Sequence, residues 1–173
     1  IELADLFGTP EKDITVVAAS AADHLRLGMT RPELAVLLAT AKLAAQEAIE
    51  HAPFAGDPAM ETELLAAFPA AMVAAHKDAI LGHRLRKEII ATKLANRMIN
   101  RLGMLHPFEL AEEEGCGLGD VAAAFAIAER IYDLPSLWEA IDTTAMPEAT
   151  RLMLFNQAAV ETRAQMADVI RNA

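Results

Sequence analysis

Apolar residues recur along most of this chain at intervals of three or four, which is the spacing of one face of an α-helix. No segment shows the alternation of β-branched and polar residues, bounded by turns, that is typical of a strand. The pattern therefore predicts an all-α fold without significant sheet. Because no repeat or linker divides residues 1–173, we expect a single bundle-like domain of about eight helices.

Start and stop signals divide the chain into helices. A first helix is expected over 11–26, and a capping box of Thr30 and Glu33, with Pro32 in the first turn, begins the next. In that second helix a stripe of small and apolar residues on one side is opposed by Val36 and Leu43 on the other. Apolar residues on two sides predict a central helix between neighbours.

The later helices are marked by prolines, glycines and acidic caps. Gly103 and Gly115 each follow a helical segment, at positions where a left-handed residue commonly ends a helix. Asp57 and Asp120 are expected to cap helix starts. The predicted segments are 58–68, 69–81, 83–102, 107–114, 121–133, a short helix from 134 that carries Trp138, and a final helix led by Pro147.

Composition limits the environment and the partners. The longest apolar run, over 64–75, is interrupted by Pro69 and is too short to span a bilayer, so no membrane partner is expected. A single cysteine and the lack of a signal peptide favour the cytoplasm. The net charge of −10 opposes binding to nucleic acid unless the basic residues are segregated.

The sequence offers no convincing catalytic, cofactor-binding or metal-binding residues. No two of the five histidines have the three- or four-residue spacing that would place them together on a metal. The glycines over 115–119 lack the spacing and the preceding strand of a dinucleotide loop. Cys116 has no neighbouring histidine to activate it. We therefore expect no cofactor in this segment.

Positive charge is concentrated over 76–101, where seven lysines and arginines stand against two acids. A helical wheel places four of these cations on one flank of helix 83–102, with two apolar residues among them. This basic flank is the candidate interface, and its six residues are Arg86, Ile90, Lys93, Leu94, Arg97 and Arg101.

The basic flank has several possible partners. It could meet the acidic remainder of the same domain, another domain, a second subunit or nucleic acid. Intramolecular packing with the charged ends reaching solvent is as plausible as an external contact. Asn96 and Asn100 are expected to be buried polar residues of the same helix.

Two blocks carry a resemblance to a known family, GMTRPELAVLLATAK over 28–42 and GHRLRKEIIATKLANRMINRLG over 82–103, together with Leu137 and Trp138. They resemble the C-terminal helical region of the large bacterial NAD-specific glutamate dehydrogenases.

The resemblance implies a parent enzyme that oxidatively deaminates L-glutamate to 2-oxoglutarate and ammonia with NAD. In that family the dinucleotide fold and the substrate lysines precede this region. The resemblance therefore implies an inactive fragment with a structural, assembly or regulatory role, as part of a homo-oligomer. Its partners would be the catalytic and N-terminal regions of the parent chain. The alternative is a separate helical module that binds a protein, or less plausibly nucleic acid, through the basic flank.

Overall fold

Helices account for most of the described part of the chain. A computed structural model describes residues 31–173; the helix expected over 11–26 and the Thr30 cap lie outside the described residues. Within 31–173 there are eight α-helices and no strand, which confirms the all-α prediction. The helices are α1 (Arg31–His51), α2 (Glu61–Leu65), α3 (Ala70–Leu81), α4 (Arg86–Leu102), α5 (Leu105–Glu114), α6 (Leu118–Ile131), α7 (Leu134–Thr143) and α8 (Glu148–Arg171), with 3-10 turns at Pro53–Gly56 and Pro58–Met60.

The ends of the helices follow the local signals closely. The Asp57 carboxylate accepts a hydrogen bond from the Ala59 N–H at 2.7 Å, so it caps the first turn as predicted. Gly103 and Gly115 end α4 and α5 with φ of 81° and 63°, in the positive range that favours glycine.

Three predicted helix starts need correction. Helix α4 begins at Arg86 and not at residue 83, because Leu85 has a non-helical backbone and its N–H binds the His83 ring at 3.2 Å. Helix α5 begins at Leu105, two residues before Pro107. The first turn tolerates this proline because N–H groups in a first turn have no partner within the helix. Helix α6 begins before Asp120, whose carboxylate accepts from the Gly117 N–H at 3.0 Å from inside the first turn.

Helix α4 occupies the centre of the described fold and packs against α1, α5, α6 and α8. Its buried residues extend over more than a narrow stripe: they are Ile90, Ala91, Leu94, Ala95, Met98, Ile99 and Leu102. Helix α1 lies against α4 and α6 through its small-residue stripe, of which Ala41 and Ala45 are fully buried. Small side chains on α1 allow the two helix axes to approach closely.

The prediction that α1 is the central helix is wrong. Val36 and Leu43, which should have been covered on its second side, are 43% and 65% exposed. Leu152 of the final helix is also exposed at 57%, whereas Met166 on the same helix is fully buried. Helical periodicity identifies apolar faces, but it does not say how many of them a neighbour covers.

Polar contacts attach the last two helices to the rest. Arg151 of α8 donates to the Ile141 and Thr144 carbonyls, at 2.9 and 3.1 Å, and to the Asp142 carbonyl, which satisfies the carboxyl end of α7. Phe125 and Trp138 stack with ring centroids 6.1 Å apart and join α6 to α7. Helix α7 is thereby held beside α4, where its polar side forms one wall of a groove.

Candidate functional site

The centre of the basic flank is an ion-pair cluster within the chain. Arg97 of α4 binds Glu129 of α6 with two parallel hydrogen bonds, Nε to Oε1 at 2.6 Å and Nη2 to Oε2 at 2.7 Å. Its remaining nitrogen, Nη1, donates to Glu63 Oε2 of α2 at 2.9 Å. One planar guanidinium thus connects three helices, with the two-pronged geometry in which it fits a carboxylate best.

Burial and pairing have opposite effects on these charges. Burial alone would lower the pKa of Arg97, but the hydrogen bonds and charges of Glu129 and Glu63 outweigh it and raise that pKa. The Glu129 side chain is only 5% exposed, and burial raises its pKa against the opposing effect of Arg97. The two short bonds favour the ionised pair, so we treat Arg97 and Glu129 as a charged structural contact.

Arg101, one helical turn further on, faces two aromatic rings and an acid. Its guanidinium carbon lies 5.3 Å from the Trp138 ring centroid and 5.6 Å from that of Phe155. Nη2 donates to the Asp142 carboxylate at 3.0 Å. The geometry is that of a cation over aromatic faces, which adds to an ion pair that is itself partly exposed.

The other two cations of the basic flank differ in their contacts. Arg86 Nη2 donates to the Gly56 carbonyl at 2.8 Å, which fastens α4 to the 3-10 turn after α1. Lys93 forms no ion pair with any residue of the described range. Burial lowers its pKa, partly opposed by Glu63, and Arg97 lowers it further.

Two members of the candidate interface are core residues. Ile90 is 1% exposed and Leu94 is not exposed at all, and both pack inside the domain. Of the partners left open for this flank, Ile90 and Leu94 meet the core of the same domain, because the buried side of α4 is wide enough to include them. The cations beside them lay their aliphatic parts along this surface and extend their charged ends outward.

The two asparagines of α4 are less buried than expected. Asn96 is half-buried, and its amide donates to the Thr92 carbonyl at 2.8 Å within the same helix. Asn100 is exposed, which corrects the prediction that it lies in the core. Both line a groove and leave amide groups available to it.

The groove lies between α4 and α7 and has a volume of about 760 Å³. Cationic side chains of α4, including Lys93, face the acids Glu139 and Asp142 of α7 across it, and Trp138 contributes an apolar surface. The lining contains neither a thiol nor an imidazole. Such a surface can hold a polar or mixed-charge group.

Metal and thiol chemistry have little support in the described part of the chain. Over 31–173 no three His, Cys, Asp or Glu side chains converge in a way that could hold a metal ion. Burial raises the pKa of the half-buried Cys116 thiol, and the charge of Asp120 raises it further. A raised pKa reduces the thiolate fraction on which reactivity depends.

Sequence reasoning missed the acidic partners of the basic flank. Glu63 and Glu129 lie 34 and 32 residues from Arg97 along the chain, on different helices. The signal that could have identified Glu129 is its position on an otherwise alanine-rich helix. An acid among buried alanines requires a cationic partner.

The described residues thus form an all-helical segment in which the Arg97 cluster is an internal contact between three helices. Within 31–173 no helix is long and apolar enough to cross a bilayer.

Comparison with known proteins identifies the family. The chain belongs to the family "Glutamate dehydrogenase, C-terminal", whose model matches residues 26–173. It is 33% identical over 115 residues to an NAD-specific glutamate dehydrogenase of Halomonas elongata and 31% identical over 115 residues to one of Pseudomonas aeruginosa, and each match covers 66% of this chain. An NAD-specific glutamate dehydrogenase of Mycobacterium tuberculosis is 28% identical over 123 residues, or 71% of this chain.

The relatives are much longer than this chain. The matched segments span 7% of the Halomonas and Pseudomonas proteins and 8% of the Mycobacterium protein. No solved structure gives a significant match. The resemblance drawn from the two sequence blocks is confirmed at the level of the family.

Proposed function

We propose that residues 1–173 are one helical, non-catalytic domain of an NAD-dependent glutamate dehydrogenase, which oxidatively deaminates L-glutamate to 2-oxoglutarate and ammonia. The domain supports the packing and assembly of the catalytic and N-terminal regions of a homo-oligomeric, cytoplasmic parent enzyme. NAD binds elsewhere in that parent, and this segment holds no cofactor.

The observation that carries the proposal is the internal pairing of Arg97 with Glu129 and Glu63. Glu129 is one of the buried charged groups of residues 31–173, and active sites exploit such a combination of burial and charge. Three of the five N–H donors of Arg97, one on each nitrogen, bind carboxylates of neighbouring helices. A cluster that joins three helices in this way supports a role in holding them together.

The same contacts weigh against the nucleic-acid alternative. Arg86, Arg97 and Arg101 each bind a group of this chain, and the whole chain carries a charge of −10. Binding to phosphates would have to break these pairs and overcome that charge. We therefore place the function in protein packing and expect no nucleic-acid or membrane partner.

Truncation of the parent enzyme tests the proposal. The parent with and without this segment would be compared for glutamate-dependent reduction of NAD and for mass by analytical ultracentrifugation. We expect the truncated parent to lose its native assembly and most of its activity. If it keeps both, or if purified 1–173 reduces NAD with glutamate, the proposal is wrong.

A further inference from the structure

Helix α3 is apolar but almost entirely uncovered. Nine of its twelve residues in the segment AAMVAAHKDAIL are apolar. Only Ile80 is buried, and Val73 and Leu81 are half-buried, whereas every other residue of Ala70–Leu81 is exposed. The exposed residues include Met72, which has 46% of its surface open to solvent. Single exposed apolar residues are ordinary, but a whole exposed apolar helix marks a contact surface.

The attachment of α3 to the described fold is narrow. It packs mainly against α2, a helix of five residues, and Ile80 anchors its carboxyl end to the core. Residues 70–72 and 74–79 are exposed. In the amino-terminal half of the helix, Val73 packs against the core and the other residues are open to solvent.

Helix α3 is too short to be stable without further packing. His76 has φ −137° and ψ 30°, outside the helical region, so an uninterrupted segment of only six residues precedes it. Isolated helices shorter than about 12–15 residues are marginal in water even when rich in alanine. This segment therefore needs a surface to pack against in order to remain helical.

The distribution of side chains indicates the shape of that surface. The three polar residues, His76, Lys77 and Asp78, are consecutive, so they point in directions about 100° apart and form no polar face. Apolar side chains occupy the directions between them. A helix that is apolar on all sides is suited to burial in a groove, and not to pairing along one stripe.

A second copy of α3 would not provide such burial. Twelve residues give a helix about 18 Å long, which exposes little area beside the roughly 800 Å² per partner of a stable interface. A larger body is needed, and the parent supplies one. In the relatives from Halomonas and Pseudomonas, the matched segment is 7% of the protein, so more than nine-tenths of each lies outside it.

We propose that α3 inserts into an apolar groove formed by the part of the parent polypeptide outside residues 1–173. This inference rests on the proposed function, that the chain is a non-catalytic part of a longer enzyme. It specifies the docking element as Ala70–Leu81, separate from the basic flank of α4. The alanines allow the walls of the groove to approach the helix backbone closely.

Site-specific cross-linking in the full-length parent enzyme tests the proposal. The photoreactive residue p-benzoylphenylalanine would replace Ala75, which is exposed on α3, and adducts would be mapped by mass spectrometry. We expect adducts with peptides outside 1–173, at the mass of a single polypeptide on a denaturing gel. Adducts at the mass of two polypeptides, adducts within 1–173, or no adduct would overturn the proposal. The same probe at Ala164, exposed on α8, is the control and should react far less; equal yields would also overturn it.

A pair of charge substitutions gives an independent readout. Ala75→Glu and Ala164→Glu place the same acid on exposed positions of two helices, where helix propensity changes little. We expect Ala75→Glu to lower the melting temperature of the parent enzyme and Ala164→Glu to leave it unchanged. Equal effects would contradict docking of α3. Failure of the proposed function is recognised separately, because it would appear as full activity of the truncated parent or as turnover by 1–173 alone.

Discussion

Arg97 and Glu129 face each other with two parallel hydrogen bonds of 2.6 and 2.7 Å, although 32 residues separate them in the sequence. The pair joins the central helix α4 to α6, and Glu63 adds α2 through the third nitrogen of the same guanidinium. Because Glu129 is almost completely buried, its charge depends on Arg97 for compensation.

Removal of the buried carboxylate should be strongly destabilising. In Glu129→Ala, Arg97 loses its two-pronged partner but keeps Glu63, and we expect a loss of about 1.5–3 kcal/mol in the free energy of unfolding. Urea denaturation followed by circular dichroism measures it. The matched control is Glu113→Ala, which removes an ion pair with Arg163 from a carboxylate that is 56% exposed. The control should cost less than about 1 kcal/mol.

Replacement of the whole pair should be tolerated better than removal of one partner. In the double variant Arg97→Met with Glu129→Leu, no buried charge remains at the contact between α4 and α6. We expect it to be more stable than Glu129→Ala, because apolar residues of similar size often match or exceed the stability of a buried ion pair. The same denaturation experiment decides it. A double variant as unstable as Glu129→Ala would show that the contact depends on more than charge compensation.

Arg101 should influence the fluorescence of Trp138, the single tryptophan of the chain. Arg101→Ala removes the guanidinium 5.3 Å from the ring and the ion pair with Asp142, which together contribute about 1 kcal/mol. We expect a change in the emission spectrum and a small loss of stability. Arg84→Ala, which removes an exposed arginine outside both contacts, is the control. An unchanged spectrum in Arg101→Ala would contradict the stacking.

Cys116 should react slowly with thiol reagents at neutral pH. Burial and the charge of Asp120 raise its pKa, so the reactive thiolate is scarcer than in a free cysteine. The rate of reaction with Ellman's reagent should rise with pH and reach its half-maximal value above the ordinary thiol pKa of about 8.5. Asp120→Asn removes one cause of the shift and should move the profile to lower pH. A rate at pH 7 equal to that of a free thiol would contradict the raised pKa.

The sequence predicted what depends on local chemistry. Asp57, Gly103 and Gly115 mark helix ends because capping and positive φ are decided within a few residues. The grouping of Arg86, Lys93, Arg97 and Arg101 on one flank follows from helical geometry in the same way. The family could be identified from two blocks of sequence and is confirmed by the match over 26–173.

What the sequence could not supply depends on contacts between distant helices. Ile90 and Leu94 were assigned to an interface because a helical wheel shows where apolar residues lie but not which neighbour covers them. Glu63 and Glu129 were not recognised because their pairing with Arg97 is set by how α2 and α6 pack on α4. The exposure of α3 was equally hidden, since its composition resembles that of a buried helix.

The central claim is that this chain has a packing role in the parent enzyme and does not itself oxidise glutamate. Its most direct test is the formation of NADH by purified 1–173 incubated with L-glutamate and NAD, beside the parent enzyme at equal molar concentration. We predict turnover by the parent and none by the isolated chain. Glutamate-dependent formation of NADH by residues 1–173 alone would contradict the account.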